Sequence, residues 1–123
     1  YRTKLNTLLQ QAKEFRKIFQ VSPSSLTSGR ATQKCLIDEE WSEFHEAYHH
    51  EPLDHVLKEL ADLVYVCYQY AANEGWDLDE AMNRLHQSNL SKLDNDGNPI
   101  FRGDGKVLKS ENYQPPYLGD LIK

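Results

Sequence analysis

The residues best suited to chemistry in this chain are carboxylates set at helical spacing. Glu39, Glu40 and Glu43 form an E-E-x-x-E group, and Glu59 and Asp62 follow as E-x-x-D. Side chains three or four residues apart share one side of a helix. A site built from oxygen donors alone favours Mg²⁺ or Mn²⁺ over zinc. The same stretch also carries His45-Glu46-x-x-His49, two imidazoles that could chelate zinc with a glutamate beside them as base. At about 100° per residue the histidines project to the opposite side of the Ile37, Trp41, Phe44 and Tyr48 stripe from Glu40 and Glu43, so one site cannot use both sets. No third zinc ligand recommends itself, because His50 and His55 fall where Pro52 stops the helix. A short H-E-x-x-H also arises by chance in a segment this rich in both residues. The acidic set is therefore the candidate.

The elements that must position it follow from hydrophobic periodicity. Leu5, Leu8, Leu9, Ala12, Phe15, Ile18 and Phe19 predict a helix over residues 3–20, and SPSSLTSGRAT predicts a loop of about ten residues. A second helix is expected over 32–50, stopped by Pro52, and a third over 53–73, ended by Gly75. A fourth follows over 77–90 with Asp77 as its N-cap. On the third helix Val56, Leu60, Leu63 and Cys67 make an apolar stripe, flanked by Glu59 and Asp62 on the same rotational side as Glu40 and Glu43 flank theirs. Two antiparallel helices packed along these stripes would bring the two acidic pairs face to face. Carboxylates that converge beside a core either take up protons or hold a cation. Acidic pairs at this spacing are also common on solvated helix faces, and spacing alone does not choose between the two.

After residue 92 the chain becomes rich in turns. Pro-Ile-Phe-Arg and Lys-Val-Leu-Lys flank a Gly-Asp-Gly turn and predict a small hairpin, followed by an extended tail. The expected class is all-α: one domain over 1–123, a four-helix core over 1–92 and a C-terminal appendage over 93–123. A net charge of −5 argues against a broad surface for nucleic-acid polymers. No apolar run approaches the roughly 20 residues of a membrane span. Cys35 and Cys67 have neither zinc-knuckle spacing nor the numbers for a disulfide framework, so a reducing, cytoplasmic setting is expected.

Glu39-Glu40-Trp41-Ser42-Glu43 with Glu59-Leu60-Ala61-Asp62 resembles the signature of the all-α nucleoside triphosphate pyrophosphatases: MazG proteins, phosphoribosyl-ATP pyrophosphohydrolases and dimeric dUTPases. Glu14-Phe15 and Phe19 before a Ser/Pro loop, Asp62 through Val66, and Asn89-Leu90-Ser91-Lys92 extend the similarity. So does the tail from Asp104 to Lys109 and on through Tyr113 to Pro115-Pro116. The resemblance implies a four-helix MazG-like bundle that works as a homodimer or homotetramer. It implies Mg²⁺-dependent, or Mn²⁺-dependent, cleavage of a (d)NTP to the monophosphate and pyrophosphate, in a nucleotide-pool house-cleaning role that extends to dUTPase-like activity. Glu40, Glu43, Glu59 and Asp62 would ligate metal, Glu39 would orient or deprotonate water, and Asn89 and Lys92 would meet phosphate.

Arg102, Lys106 and Lys109 are a further basic group, read here as a solvated loop. Trp41, Tyr48, Tyr65, Tyr68 and Tyr70 could stack a base but also suit ordinary packing. Phe15 and Phe19 share that ambiguity, near the helix end where the family forms its base pocket. Two rival readings remain: a phosphoribosyl-ATP pyrophosphohydrolase, disfavoured because those enzymes are typically shorter and lack the tail, and a non-catalytic helical interaction domain.

Overall fold

The computed structural model describes residues 6–21 and 27–122, with residues 27 and 28 described by their backbone. Leu5 and residues 22–26 of the expected Ser/Pro loop lie outside the described residues, and the rest of that loop is helical. The described chain is four α-helices, α1 (Leu8–Ile18), α2 (Thr27–His50), α3 (Leu53–Glu74) and α4 (Leu78–Leu90), then a two-stranded hairpin and one short 3₁₀ turn. The all-α class with a C-terminal hairpin stands as expected. The chain separates into two compact units, one reaching to Leu78 and one from Asp79 onward. Among the described residues no helix is long and apolar enough to cross a membrane.

Local chemistry sets the helix ends. Thr7 caps α1 in a capping box: its hydroxyl accepts from the Gln10 amide at 3.1 Å, and the Gln10 side chain accepts from the Thr7 amide at 2.9 Å. This box sets the start of α1 at Leu8, and residues 3–5 of the expected helix lie outside the described residues. The helix α2 begins at Thr27, five residues before the expected position, because Gly29, Ala31 and their neighbours tolerate helical backbone once a long helix extends through them. Gly75 ends α3 in the left-handed conformation, φ 77°, and its N–H donates to the last-turn carbonyls of Ala71 and Ala72.

In the first unit α1 packs on α3 through Leu9, Ala12, Tyr68 and Ala72, with Leu78 closing the cluster. The alanines let the two helices approach closely, and a polar clamp fixes their register. Buried Arg16 donates to the Gln69 side chain at 3.2 Å and to the Asn73 side chain at 2.9 Å, while Gln69 donates to the Ala12 carbonyl at 3.3 Å. Burial holds the Arg16 pKa below its ordinary value. The pair α2 and α3 runs antiparallel across the Pro52 turn. Its open end is tied by Arg30 to the buried Glu74 carboxylate at 2.6 Å.

The side of α2 that packs inward differs from the expected stripe. Trp41 and Tyr48 are exposed, whereas Gln33 and Ala47 are buried and Leu36, Ile37, Glu40 and Phe44 are half-buried. Glu40 therefore sits on the inward face, between Leu36 and Phe44, rather than on its flank. Likewise Glu59, Asp62, Leu63, Val66 and Cys67 are the half-buried side of α3, and Leu60 is exposed. Of the expected stripes, Ile37, Phe44, Val56, Leu63 and Cys67 are half-buried, while Trp41, Tyr48 and Leu60 stay exposed.

Strands Ile100–Phe101 and Val107–Leu108 pair antiparallel, Ile100 opposite Leu108, as expected. The tail lies along α4: Ser88 Oγ donates to the Gln114 carbonyl at 2.7 Å, and the Gln114 amide donates to Ser91 Oγ at 2.8 Å. Arg84 on α4 makes a bidentate pair with Asp120 at 2.6 and 3.1 Å, the fork-on-fork geometry that is the stronger kind of ion pair.

Candidate metal site

Three of the anticipated ligands come together between α2 and α3. Glu40, Glu59 and Asp62 each offer a carboxylate oxygen, and these oxygens lie within 4.8 Å of one another. Glu40 reaches in from the middle of α2. Glu59 and Asp62, one turn apart on α3, meet it because the helices are antiparallel. Glu43 is exposed and outside this trio, yet near enough that its charge helps raise the Glu40 pKa. Glu39 is exposed on α2 beside Glu40.

The electrostatics fit a cation. The Glu40 carboxyl titrates above the ordinary range, first because burial disfavours its charge, then because Asp62, Glu59 and Glu43 repel it. The Lys58 ammonium opposes this shift. It lies 2.6 Å from Asp62 Oδ2 and 3.3 Å from Glu59 Oε1, and these contacts push its own pKa up to about 12. Three half-buried carboxylates with oxygens within 4.8 Å of one another, and an ammonium already drawn to two of the three groups, form a donor set that suits a hard divalent cation.

An aromatic cleft of about 400 Å³ lies in the same unit, lined by Glu14, Phe15, Phe19 and Tyr65. Phe15 packs on Phe19 at 4.6 Å between ring centroids and meets Tyr65 edge-on at 5.7 Å. Tyr65 follows Asp62 by three residues on α3, so one helix carries both a carboxylate of the trio and a wall of the cleft. Tyr68 instead belongs to the core.

His45 and His49 are exposed, their rings 4.6 Å apart. His50 turns to Glu46 at 3.5 Å and His55 to Glu51 at 3.1 Å. Among the described residues neither His45 nor His49 belongs to a group of three or more metal-ligating side chains.

Asn89 and Lys92 belong to the second unit, at the end of α4 and in the turn after it. Asn89 is exposed and Lys92 half-buried, with the Lys92 amide donating to the Asn89 carbonyl at 3.2 Å. Arg102 pairs with Asp104 at 2.6 Å, and the Lys109 ammonium sits 4.6 Å from the centre of the Tyr113 ring. Lys58 is the functional candidate that sequence reasoning missed. Its signal was present in the Lys-Glu-Leu-Ala-Asp run, where positions 58 and 62 are one helical turn apart.

Compared with known proteins, residues 4–89 match the phosphoribosyl-ATP pyrophosphohydrolase family, part of the MazG-like all-α superfamily. No individual curated protein matches.

Proposed function

Because the chain belongs to the phosphoribosyl-ATP pyrophosphohydrolase family, and is thereby a pyrophosphohydrolase, we propose that it cleaves the α–β phosphoanhydride of phosphoribosyl-ATP with a divalent cation held by Glu40, Glu59 and Asp62. The observation that carries this reading is the meeting of those three carboxylates across α2 and α3. It replaces the preference for a (d)NTP stated from the sequence, since the family match favours the rival substrate. A (d)NTP remains the second reading for one reason: residues 90–123, with the hairpin and the tail, lie outside the matched span.

The donor set suits Mg²⁺, with Mn²⁺ as its substitute. Such a cation supplies charge neutralisation on the phosphates and acidifies bound water. The rest falls to the chain. Glu43, next to the trio, completes its charge. Glu39 accepts the proton as water forms its bond to phosphorus and the phosphoanhydride bridge breaks, leaving a monophosphate and pyrophosphate. The Phe15, Phe19 and Tyr65 cleft can seat a base by stacking.

We also assign a homodimer or homotetramer to the working enzyme. Leu53, Leu57, Leu60 and Val64 step by four, three and four along α3, and they remain 85, 66, 42 and 40% exposed. That is the seam of a helix awaiting a partner. A helical interaction module would present such a seam too, but it has no use for the carboxylate trio. The deciding experiment is a panel of phosphoribosyl-ATP and the (d)NTPs with Mg²⁺, read separately for pyrophosphate and orthophosphate. Pyrophosphate from phosphoribosyl-ATP is expected. Turnover of (d)NTPs alone selects the second reading, and orthophosphate alone, or no turnover, overturns the mechanism.

A further inference from the structure

We propose that Lys58 is a resident counter-cation of the acidic site, displaced when a divalent cation binds and then passed to the phosphate chain of the substrate. This inference rests on the metal-site reading above.

The geometry makes the two cations competitors. The Lys58 ammonium occupies Asp62 Oδ2 at 2.6 Å and reaches Glu59 Oε1 at 3.3 Å. A divalent cation on that same Asp62 oxygen, at the usual distance of about 2.1 Å, would lie within about 5 Å of the ammonium. Two like charges that close repel, and the carboxylate lone pairs cannot serve both in full. Lys58 is able to leave. Its side chain is 68% exposed and carries a flexible four-carbon stem. Leaving places an ammonium at the rim of a site whose ligand is a polyanion, where it serves as a point charge for phosphate.

An ordinary surface pair is available for comparison. Lys34 and Asp38 also sit four apart, at 2.9 Å, but both are well exposed at 71 and 61%. The partners of Lys58 are instead two members of the trio, with side chains 15 and 37% exposed. The two lysines have the same local spacing and differ in what their carboxylates are for.

The test is calorimetric titration of Mn²⁺ into the wild type and into Lys58→Gln, Lys58→Arg and Lys34→Gln, followed by inorganic pyrophosphate into each Mn²⁺-loaded protein. Lys58→Gln should bind Mn²⁺ about fivefold more tightly and pyrophosphate about fivefold more weakly. Lys58→Arg and Lys34→Gln should stay within about twofold of wild type. If Lys58→Gln matches Lys34→Gln for Mn²⁺, Lys58 is a plain surface charge and the proposal is overturned while the metal site stands. If only pyrophosphate binding is unchanged, the transfer to substrate is overturned. Failure of the wild type to bind Mn²⁺ removes the metal-site reading, and this proposal with it.

Discussion

Glu40 is the residue on which the site turns, and its environment makes a prediction about the metal-free protein. Its carboxyl is pushed up by burial and by three neighbouring acids, so its ionised form is at odds with the fold. The sign follows from linkage: a group whose folded pKa is raised stabilises below its unfolded value, and that contribution is lost as pH rises through the folded value. Glu40→Gln keeps the shape and removes the charge. Without metal it should therefore melt a few degrees above wild type at neutral pH, roughly 2 °C. The gap should narrow as pH falls through the raised folded value of Glu40, where the wild type takes up its proton, and be gone below the ordinary glutamate range. With saturating Mg²⁺ the order should reverse, because only the wild type gains stability from a bound ion, and turnover of Glu40→Gln should be lost. Melting curves across pH with and without Mg²⁺ check this; a Glu40→Gln that is still stabilised by Mg²⁺ and turns over removes Glu40 from the ligand set. His45→Ala is the companion variant and should behave as wild type. At this scale much was legible in the sequence. The meeting of Glu40 with Glu59 and Asp62 could be read from i,i+3 spacing on antiparallel helices, whereas the exposure of Glu43, expected to join them, could not. The role of Lys58 was not, because an i,i+4 lysine looks the same whether its partner carboxylate is bare surface or part of a site.

Among the elements, α3 carries the most. One side supplies Glu59 and Asp62 to α2, another supplies Tyr68 and Ala72 to α1, and its last turn holds Glu74 for Arg30. Its C-terminus has to stop where it does, since Trp76 and Leu78 follow at once and Leu78 packs back on the core. Gly75 makes the stop with φ 77°, and a side chain there would meet no atom within 4 Å. The cost of Gly75→Ala is therefore backbone strain alone, about 1 kcal/mol. It should show as a lower denaturation midpoint with unchanged steepness. A loss of several kcal/mol would mean that the turn does more than end the helix. Helix ends of this kind were legible at Gly75 and Pro52, which act through their own backbone. The start of α2 was not, since Ser, Thr and Gly favour loops only weakly and a helix of 24 residues overrides them. The inward face of α2 was also misread, for a different reason. Trp41 and Tyr48 mark apolar surface that wants cover, but periodicity does not say which chain provides it.

At the scale of the whole molecule the core is too small for the apolar surface around it. The buried hydrophobic residues among those described are Leu9, Ala47, Tyr68 and three further alanines, and no large side chain is fully buried. Outside lie Trp41, Tyr48, Leu53, Leu57 and Ile18, all more than half exposed. Burial of apolar area is the main force available to a helical bundle, so a chain left in this state would be marginal. Covering the α3 seam by a second copy would relieve the imbalance, and a net charge of −5 is small enough that two copies would repel little at physiological salt. Leu57 is the residue to test: it is 66% exposed, lies in the middle of the seam, and is one position away from Lys58 without being part of the trio. Leu57→Lys would bury an unpaired ammonium in a seam between copies, which costs several kcal/mol, yet on an isolated chain it would only exchange one exposed side chain for another. Light scattering should find the wild type at a multiple of the chain mass and Leu57→Lys at the single-chain mass. The wild-type melting temperature should rise with protein concentration, as it must when folding and association are linked. A Leu57→Lys protein that keeps the wild-type mass would show that the copies meet elsewhere, and a monomeric wild type would leave the seam without this occupant.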